Sequence, residues 1–358
     1  MSDQNQDIPG ADAIQIVMVA NEAFALPLAV SLYSALCHLP SDRIVDVHII
    51  DNGLSDPTRR RLRHLIANRV AATVTLHFES GGQWLEAMDV EVSALGTYSP
   101  IVLLRLFIPE MLPDTEKVLY LDCDIVVEQD VSALWDQPVG DHAVLGVQER
   151  RVDCPTNGVR QWRELGLDPS LPYVNSGVLV MNLRRWREEG LGERCMDFLR
   201  THTSQEMNVG WDQEAINAVC GGTIGLIDPR WNVVLHYYWP HLYEEQNLAE
   251  QVGHQAAAVA ADPYIIHFTS SNKPWRRGTP FEHPKRDRFF HYLRQSRWLG
   301  PAAWVRYRLP YWVDGLKART RTARHRVGWR TAAPAALEER EEGGGSVKRD
   351  APGLQKRD

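Results

Sequence analysis

The chain has 358 residues, 44% hydrophobic and 24% charged, a composition typical of a globular protein with a sizeable core. Its net charge of −7 argues against a general nucleic-acid-binding protein. The five cysteines form no C-x-x-C pair, which argues against a disulfide framework or a zinc site. The polar N-terminus does not resemble a signal peptide and no stretch is apolar enough to span a membrane, so we expect a cytoplasmic protein.

Predicted strands and helices alternate in the first part of the chain, after residues 1–12, which we expect to be disordered. The strands are Ile14–Ala20, Ile44–Asp51 and Thr73–Phe78, and the helices are Ala25–Leu39 and Asp56–Arg69. This alternation predicts an α/β fold with a mostly parallel sheet. Ligands in such folds bind beyond the carboxyl ends of strands, so the turn Ala20–Phe24 is either a candidate site or an ordinary connection. Neither G-x-G-x-x-G nor G-x-x-x-x-G-K-[ST] occurs, which argues against a nicotinamide or P-loop ATP site.

Two apolar segments carry charges that need an explanation. Ser99–Met111 is apolar and of helical length, yet it contains Arg105, which either snorkels to the surface or faces an anion. The run KVLYLDCDIVV reads as a strand buried on both faces that meets Asp122 and Asp124. Buried carboxylates need a positive partner, and a hard cation such as Mg²⁺ or Mn²⁺ suits them. The alternative is that the two aspartates merely begin a turn.

The second half of the chain adds further polar groups at strand ends. Tyr173–Leu183 begins with Asn175-Ser176-Gly177 and becomes an apolar strand, and a glycine there permits close approach of a ligand or another backbone. The other predicted elements are helices Arg184–Arg200 and Asp212–Val219 and a short strand Trp231–Val234. The strand Ile265–Phe268 carries His267, which is either an ordinary core histidine or a ligand. Lys273 follows six residues later in a basic turn that suits anion binding.

Five segments resemble, in order, glycosyltransferase family 8, which contains bacterial lipopolysaccharide galactosyltransferases and glucosyltransferases and also glycogenin. They are VMVANEAFALPLAVSLYSAL, LLRLFIPEMLPDTEKVLYLDCDIVV, YVNSGVLVMNLRRW, WDQEAIN and HFTSSNKPW, and they cover roughly residues 14–290. The resemblance implies a Rossmann-like fold of the GT-A type. It also implies a UDP-sugar donor and transfer with retention of anomeric configuration.

The resemblance also implies roles for particular residues. Asp122, Asp124 and His267 match the ligands of a Mn²⁺ ion, with Mg²⁺ as the alternative. Lys273 matches a lysine that contacts the diphosphate, and Arg105 matches an arginine near the donor sugar, which favours its facing an anion. The remaining matches are Asn175 and Ser176 with the donor sugar, Asp212 and Gln213 beside the anomeric carbon, and Ala20, Asn21, Glu22 and Phe24 with the uridine-binding loop. Ser270 stands where the family usually has a glycine at the diphosphate.

The implied reaction moves glucose or galactose from a UDP-sugar to a saccharide or lipid-linked acceptor. The metal and Lys273 would offset the charge of the departing diphosphate. We expect attack on the same face of the sugar, with the leaving phosphate taking the acceptor proton and Gln213 stabilising the oxocarbenium beside Asp212. Two alternatives are a haloacid-dehalogenase-like phosphatase with Asp122 as nucleophile, and a catalytically silent UDP-sugar-binding protein.

The composition changes after the expected catalytic domain, residues 13–297. Residues 298–330 hold eight Lys and Arg against one Asp, interleaved with Trp and Tyr. This pattern predicts a helical segment that binds an anionic membrane, the alternative being a packed segment with solvated arginines. Residues 331–358 are expected to form a disordered tail. We therefore expect a peripheral protein at the inner face of the cell membrane, with no nucleic-acid partner.

Overall fold

The computed structural model describes residues 13–88, 99–149, 154–202, 211–239, 256–269, 273–276 and 283–309. Seven strands in these ranges form one sheet: β1 (Ile14–Ala20), β2 (Ile44–Asp51), β3 (Thr73–Ser80), β4 (Lys117–Leu121), β6 (Val144–Gln148), β7 (Val174–Asn182) and β8 (Ile224–Leu226). Strands β5 (Ile125–Val127) and β9 (Ile265–His267) form a separate antiparallel pair.

The large sheet has the strand order β3-β2-β1-β4-β7-β6-β8. Each pairing is parallel except the two that β7 makes, with β4 and with β6. Strands in the middle of such a sheet are covered on both faces, which explains why β4 is apolar after Lys117 and why Val178–Met181 of β7 are apolar. The arrangement confirms the predicted α/β fold with a mostly parallel central sheet.

The described helices connect and cover these strands. They are α1 (Ala25–Leu36), α2 (Asp56–Arg69), α3 (Gly82–Ala87), α4 (Ile108–Met111), α5 (Ser132–Trp135), α6 (Pro155–Gly158), α7 (Leu183–Glu188), α8 (Leu191–Thr201), α9 (Trp211–Cys220), α10 (Leu235–Tyr238), α11 (256–261), α12 (Arg286–Gln295) and α13 (301–309). Helix α1 is buried around nearly its whole circumference, which is consistent with its lack of charged residues. Helices α8 and α9 pack with β4 and β7 in the main apolar core.

Two buried serines of α1 fix the turn that carries the aspartates. The Ser31 hydroxyl oxygen lies 2.6 Å from the carbonyl oxygen of Cys123, and the Ser34 hydroxyl accepts from the Val127 amide at 3.0 Å. Because β4 belongs to the large sheet and β5 to the small one, the chain turns between them at residues 122–124. The serines satisfy backbone groups that this change of sheet would leave unpaired. The run Lys117–Val127 is therefore two strands and a turn.

Three predicted elements differ from the structure. Residues Pro100–Phe107 form a 3₁₀ helix before α4, and Pro109 lacks the amide proton that an α-helix would need to bond the Arg105 carbonyl. The helix predicted over Arg184–Arg200 is divided into α7 and α8 by Gly190, which has a φ of 59°. The predicted strand Trp231–Val234 is wrong: Pro229–Asn232 is a 3₁₀ helix, started by Pro229 and by the Asp228 carboxylate, which accepts from the Arg230 amide.

The C-terminal part is described only up to residue 309. The described residues up to Trp304 belong to one compact unit, and residues 305–309 belong to a second. None of the helices in the described residues has the length and apolar character needed to cross a membrane. The domain boundaries after residues 297 and 330 stay predictions. The segments 1–12 and 331–358 lie outside the described residues, as does most of residues 298–330.

His283 makes the stability of the compact unit that ends at Trp304 depend on pH. Its ring packs edge-on against Phe268 and Tyr238, and its Nδ1 accepts from the Lys285 amide at 3.1 Å. Burial, helped by the charges of His267 and Lys285, lowers the pKa of His283 from 6.5 to about 3. Between these values the unfolded chain binds the proton more readily than the folded chain, so stability falls as the pH falls.

We expect this histidine to contribute about 2–3 kcal/mol to the loss of unfolding free energy between pH 7 and pH 4.5. His283→Asn keeps an acceptor for the Lys285 amide but cannot take up a proton. Urea titrations at the two pH values measure the effect. The variant should show a smaller pH dependence than the wild type, and an identical dependence would contradict the assignment.

Candidate functional site

Two carboxylates and one imidazole meet where the large and small sheets adjoin. Asp122 and Asp124 follow β4, and His267 ends β9. The His267 Nε2 atom lies 3.2 Å from Asp124 Oδ1 and 3.7 Å from Asp122 Oδ2. Backbone bonds hold the two elements in place, because the Phe268 amide donates to the Asp124 carbonyl oxygen at 2.9 Å. The structure therefore brings together all three predicted metal ligands.

Arg105 is buried beneath this cluster, with 4% of its surface exposed. Its guanidinium lies 3.0 Å from Asp122 Oδ1 and 3.2 Å from Asp212 Oδ2, and it donates to the Ser176 carbonyl oxygen at 2.7 Å. Its plane also lies over the Tyr120 ring, 4.5 Å from the ring centroid. Of the two possibilities that the sequence left open, Arg105 faces anions, and these anions are carboxylates of the protein itself.

The two aspartates differ in how their charge is balanced. Burial raises the pKa of Asp122, and the attraction of Arg105 offsets that effect only in part. Burial also disfavours the charge of Asp124, but the attraction of Lys273 and His267 outweighs it and holds the pKa of Asp124 well below its usual range. Lys273 donates to both the Asp124 carboxylate and the Phe268 carbonyl oxygen. The predicted diphosphate contact thus lies directly beside the predicted metal ligands.

A chain of buried hydrogen bonds determines which nitrogen of His267 faces the aspartates. Asn175 Nδ2 donates to a carboxylate oxygen of Glu149 at 2.8 Å, which leaves Asn175 Oδ1 to accept from Asn232 Nδ2 at 2.8 Å. The Asn232 oxygen then accepts from His267 Nδ1 at 2.9 Å. Because Nδ1 bonds to Asn232, Nε2 is the ring nitrogen that faces Asp122 and Asp124. Metal-ligating histidines are commonly oriented in this way.

The residues predicted to lie beside the sugar form a second group around Ser176. The Ser176 hydroxyl donates to Asp212 at 2.9 Å, and the Ser176 amide donates to Gln213 Oε1 at 3.2 Å. The Gln213 Nε2 atom is buried and has no hydrogen-bond partner among the described residues. Asn175, in contrast, uses both ends of its amide inside the protein.

The side chains of the predicted uridine-binding loop, Ala20–Phe24, differ in whether the protein itself satisfies their polar groups. Glu22 accepts from the Ser55 amide at 2.8 Å and from the Thr58 hydroxyl at 2.8 Å, so it stabilises the start of α2. Asn21 Oδ1 is buried without a partner in the described part of the chain. Ala20 ends β1 and Phe24 packs edge-on against Trp275, 6.4 Å between centroids. Ser270 lies outside the described residues.

The cluster has the donor set and the space that a divalent cation needs. One atom from each of Asp122, Asp124 and His267 lies within 4.8 Å of the others. Two carboxylates and one imidazole suit Mn²⁺ and, with water added, Mg²⁺. Gly177 keeps the space beside them open: a Cβ there would lie 2.3 Å from His267 Cε1 and 2.8 Å from Asp122 Oδ2.

Comparison with known proteins identifies the family to which this chain belongs. The profile of the family described as "Glycosyl transferase family 8" matches residues 15–279, well over half of the sequence. The chain belongs to glycosyltransferase family 8. Membership confirms the resemblance noted in the sequence and removes the haloacid-dehalogenase-like phosphatase as an alternative.

The similarity between this family 8 chain and its relatives covers most of its length. "General stress protein A" of Bacillus subtilis (strain 168) is 26% identical over 295 residues, covering 80% of this chain and 95% of that protein. The structure of the galactosyltransferase LgtC with donor and acceptor sugar analogs superposes with a TM-score of 0.65 at 21% identity, covering 82% of this chain and all of that chain. The apo WbbM bifunctional glycosyltransferase gives the same TM-score but only 51% of its chain is covered. These structural likenesses confirm the fold.

The groups that orient the site of this family 8 chain carry no recognisable motif in the sequence. Asn232 lies in a segment predicted as a strand, and Glu149 follows β6 with no motif around it. Tyr120 lies within the apolar run of β4, yet its hydroxyl donates to Asp122 at 2.7 Å. The tyrosine within a strand that ends in two aspartates was a signal available in the sequence, because its polar atom had to find a partner.

Gly177→Ala tests whether the open space beside His267 and Asp122 matters. The added methyl group would overlap His267, so we expect the affinity for Mn²⁺ to fall by roughly tenfold or more, the cost of a displaced ligand or its supporting contacts. Electron paramagnetic resonance of free Mn²⁺ measures the binding. Gly222→Ala is the matched control, because a Cβ at Gly222 meets no atom within 4 Å. If Gly177→Ala and Gly222→Ala bound Mn²⁺ with equal affinity, the open space beside His267 and Asp122 would not be required for metal binding.

Proposed function

We propose that the protein is a retaining hexosyltransferase that moves glucose or galactose from a UDP-sugar to a saccharide or lipid-linked acceptor, in a reaction dependent on Mn²⁺. The observation that carries this proposal is the cluster of Asp122, Asp124 and His267, with Gly177 leaving room beside it and Lys273 at its edge. A bound divalent cation would act there as a Lewis acid that offsets the charge of the departing diphosphate.

Lys273 has two roles in this proposal. Its ammonium group pairs with Asp124 and the Phe268 carbonyl oxygen, so its position is fixed before any ligand binds. When the charge of Asp124 is shared with a metal, the same ammonium group becomes available to a phosphate oxygen at the same place. A cation already held where negative charge develops needs no reorganisation during the reaction.

The contacts of Asp212 and Gln213 favour same-face attack over a covalent intermediate on either residue. The Asp212 carboxylate accepts from Ser176 and pairs with Arg105, so its charge is already engaged and it is a poor nucleophile. The Gln213 carbonyl oxygen accepts from the Ser176 amide and keeps a second lone pair for a positive sugar carbon. We propose that the leaving phosphate takes the proton of the acceptor hydroxyl. A glycosyl adduct found on either side chain by mass spectrometry would contradict this mechanism.

We also propose that residues 298–330 bind the anionic inner face of the cell membrane, where a lipid-linked acceptor would be presented. Eight basic residues interleaved with Trp and Tyr support this proposal. Flotation with vesicles at low and high salt tests it. Binding of the whole chain to anionic vesicles should weaken as salt rises, and binding unaffected by salt would count against it.

A panel of UDP-sugars tests the proposed function. UDP release would be measured for UDP-glucose, UDP-galactose and other UDP-hexoses with Mn²⁺, with chelator, and with chelator followed by excess Mn²⁺. We expect one donor to be turned over, activity to disappear with chelator and to return with the metal. Tight UDP-sugar binding without turnover under any condition would instead support the silent binding protein.

A further inference from the structure

A basic cleft lies between α2 and the residues that follow α12. It has a volume of about 620 Å³ and is lined by Pro57, Arg60, Arg61, His64, Leu65, Ser296, Arg297 and Trp298. Three of these side chains are arginines and one is a histidine, and none of the described residues that line the cleft is acidic. The cleft belongs to the same compact unit as the candidate metal ligands Asp122, Asp124 and His267, but it includes none of these residues. The proposed sugar transfer makes no use of these residues.

Two of the three arginines in the cleft are not paired with any described side chain. Among the described residues, neither Arg60 nor Arg297 has an ion pair or a side-chain hydrogen bond. Arg61 donates to the Trp298 carbonyl oxygen and lies over the Trp298 ring, 3.9 Å from its centroid. A guanidinium stacked on an indole keeps a fixed orientation and can still offer its remaining N–H groups to an oxygen ligand.

The backbone at Arg297 is held in a conformation that its residue type disfavours. Its φ is 53°, and it is the only non-glycine residue with a positive φ in the described part of the chain. Non-glycine residues in this region cost about 1 kcal/mol or more and are concentrated at functional positions. The Ser296 hydroxyl accepts from the Trp298 amide at 3.2 Å and so holds the turn on both sides of Arg297.

The basic surface continues beyond the cleft. A second hollow of about 780 Å³ shares Arg297 and is lined also by His291 and Arg294, and its lining within the described ranges again contains no acidic residue. Arg294 has no ion pair with any described side chain. Together these side chains form a band that spans both hollows and includes Arg60, Arg61, His64, His291, Arg294 and Arg297, which we call the basic band.

We propose that the basic band binds phosphate groups of anionic phospholipids and so holds the folded unit against the membrane surface. Open hollows with unpaired arginines suit the phosphates of a lipid surface, because guanidinium groups bind phosphate through two hydrogen bonds. The next part of the sequence supports this occupant over nucleic acid: within residues 305–309, Val305 and Leu309 are about half exposed beside Arg306 and Arg308. Exposed apolar and basic residues together suit a lipid interface.

The inference rests on the membrane-binding part of the proposed function and not on its donor chemistry. The test compares full-length wild type with Arg60→Gln/Arg297→Asn, in which asparagine tolerates the positive φ. Arg184→Gln/Arg194→Gln removes the same charge from two exposed arginines outside the band and serves as the control. Binding is measured by flotation with phosphatidylcholine vesicles that contain phosphatidylglycerol, and with phosphatidylcholine alone.

We expect the band variant to bind the anionic vesicles about thirty-fold more weakly than the wild type, from two basic contacts of ordinary strength. The control should bind as the wild type does. An equal loss in both variants would mean that net charge alone governs binding, and no loss in the band variant would mean that other residues govern it; either result overturns the proposal. UDP release without vesicles should be equal in all three proteins, and its absence in the wild type would refute the proposed function while leaving the vesicle comparison valid.

Discussion

Asp124→Asn is expected to lower the rate of sugar transfer by at least about a thousandfold while the fold remains intact. The carboxylate is one of three groups positioned to hold the metal, and it also fixes Lys273. Asparagine keeps the shape of the side chain but not its negative charge. Both the metal and the Lys273 ammonium group would therefore lose an anionic partner. A metal that acts as a Lewis acid supplies several kcal/mol of transition-state stabilisation, and a thousandfold loss corresponds to about 4 kcal/mol.

UDP release at saturating Mn²⁺ measures this loss, and circular dichroism with thermal unfolding monitors the fold. Asp114→Asn is the matched control, because it removes one exposed carboxylate away from the site. If Asp124→Asn retained wild-type turnover, the proposed catalytic role of Asp124 would be contradicted.

Arg105→Met is expected to cost stability as well as activity. The substitution leaves two carboxylates, Asp122 and Asp212, without the guanidinium that both of them contact. Removing one partner of a buried ion pair typically costs about 3–5 kcal/mol, because an uncompensated charge stays in the interior. We therefore expect a lower urea midpoint together with loss of transfer.

A second substitution separates the two effects of Arg105. Combining Arg105→Met with Asp212→Asn removes one of the stranded charges, so the double variant should regain part of the lost unfolding free energy without regaining transfer. Urea titration of the single and double variants measures this coupling. If the double variant lost as much unfolding free energy as the two single variants together, a direct interaction between Arg105 and Asp212 would be contradicted.

Much of the fold could be predicted because its signals are local. Apolar runs of strand length fixed the positions of β1, β2 and β4, and the alternation with α1 and α2 indicated a parallel sheet. The division of the run Lys117–Val127 between two sheets could not be predicted. It depends on Ser31 and Ser34, which lie in a helix about ninety residues earlier in the sequence and carry no motif.

In the candidate site, too, the features with a local signal could be predicted and the contacts between distant segments could not. Asp122 and Asp124 stood out because two carboxylates at the end of a buried strand require a partner. Arg105 is an unusual cation within an apolar segment, but only the folded chain shows that it meets Asp122 and Asp212. The Glu149-Asn175-Asn232-His267 chain of hydrogen bonds joins four separate segments, so no spacing in the sequence could reveal it.

The central claim is that Asp122, Asp124 and His267 hold a divalent cation at the place where the donor diphosphate binds. Electron paramagnetic resonance of Mn²⁺, titrated with and without UDP, tests it most directly. We expect one Mn²⁺ per chain, bound more tightly when UDP is present, because two ligands that assist each other do so reciprocally. In Asp124→Asn this site should be lost. Mn²⁺ binding that is unchanged both by UDP and by the substitution would contradict the claim.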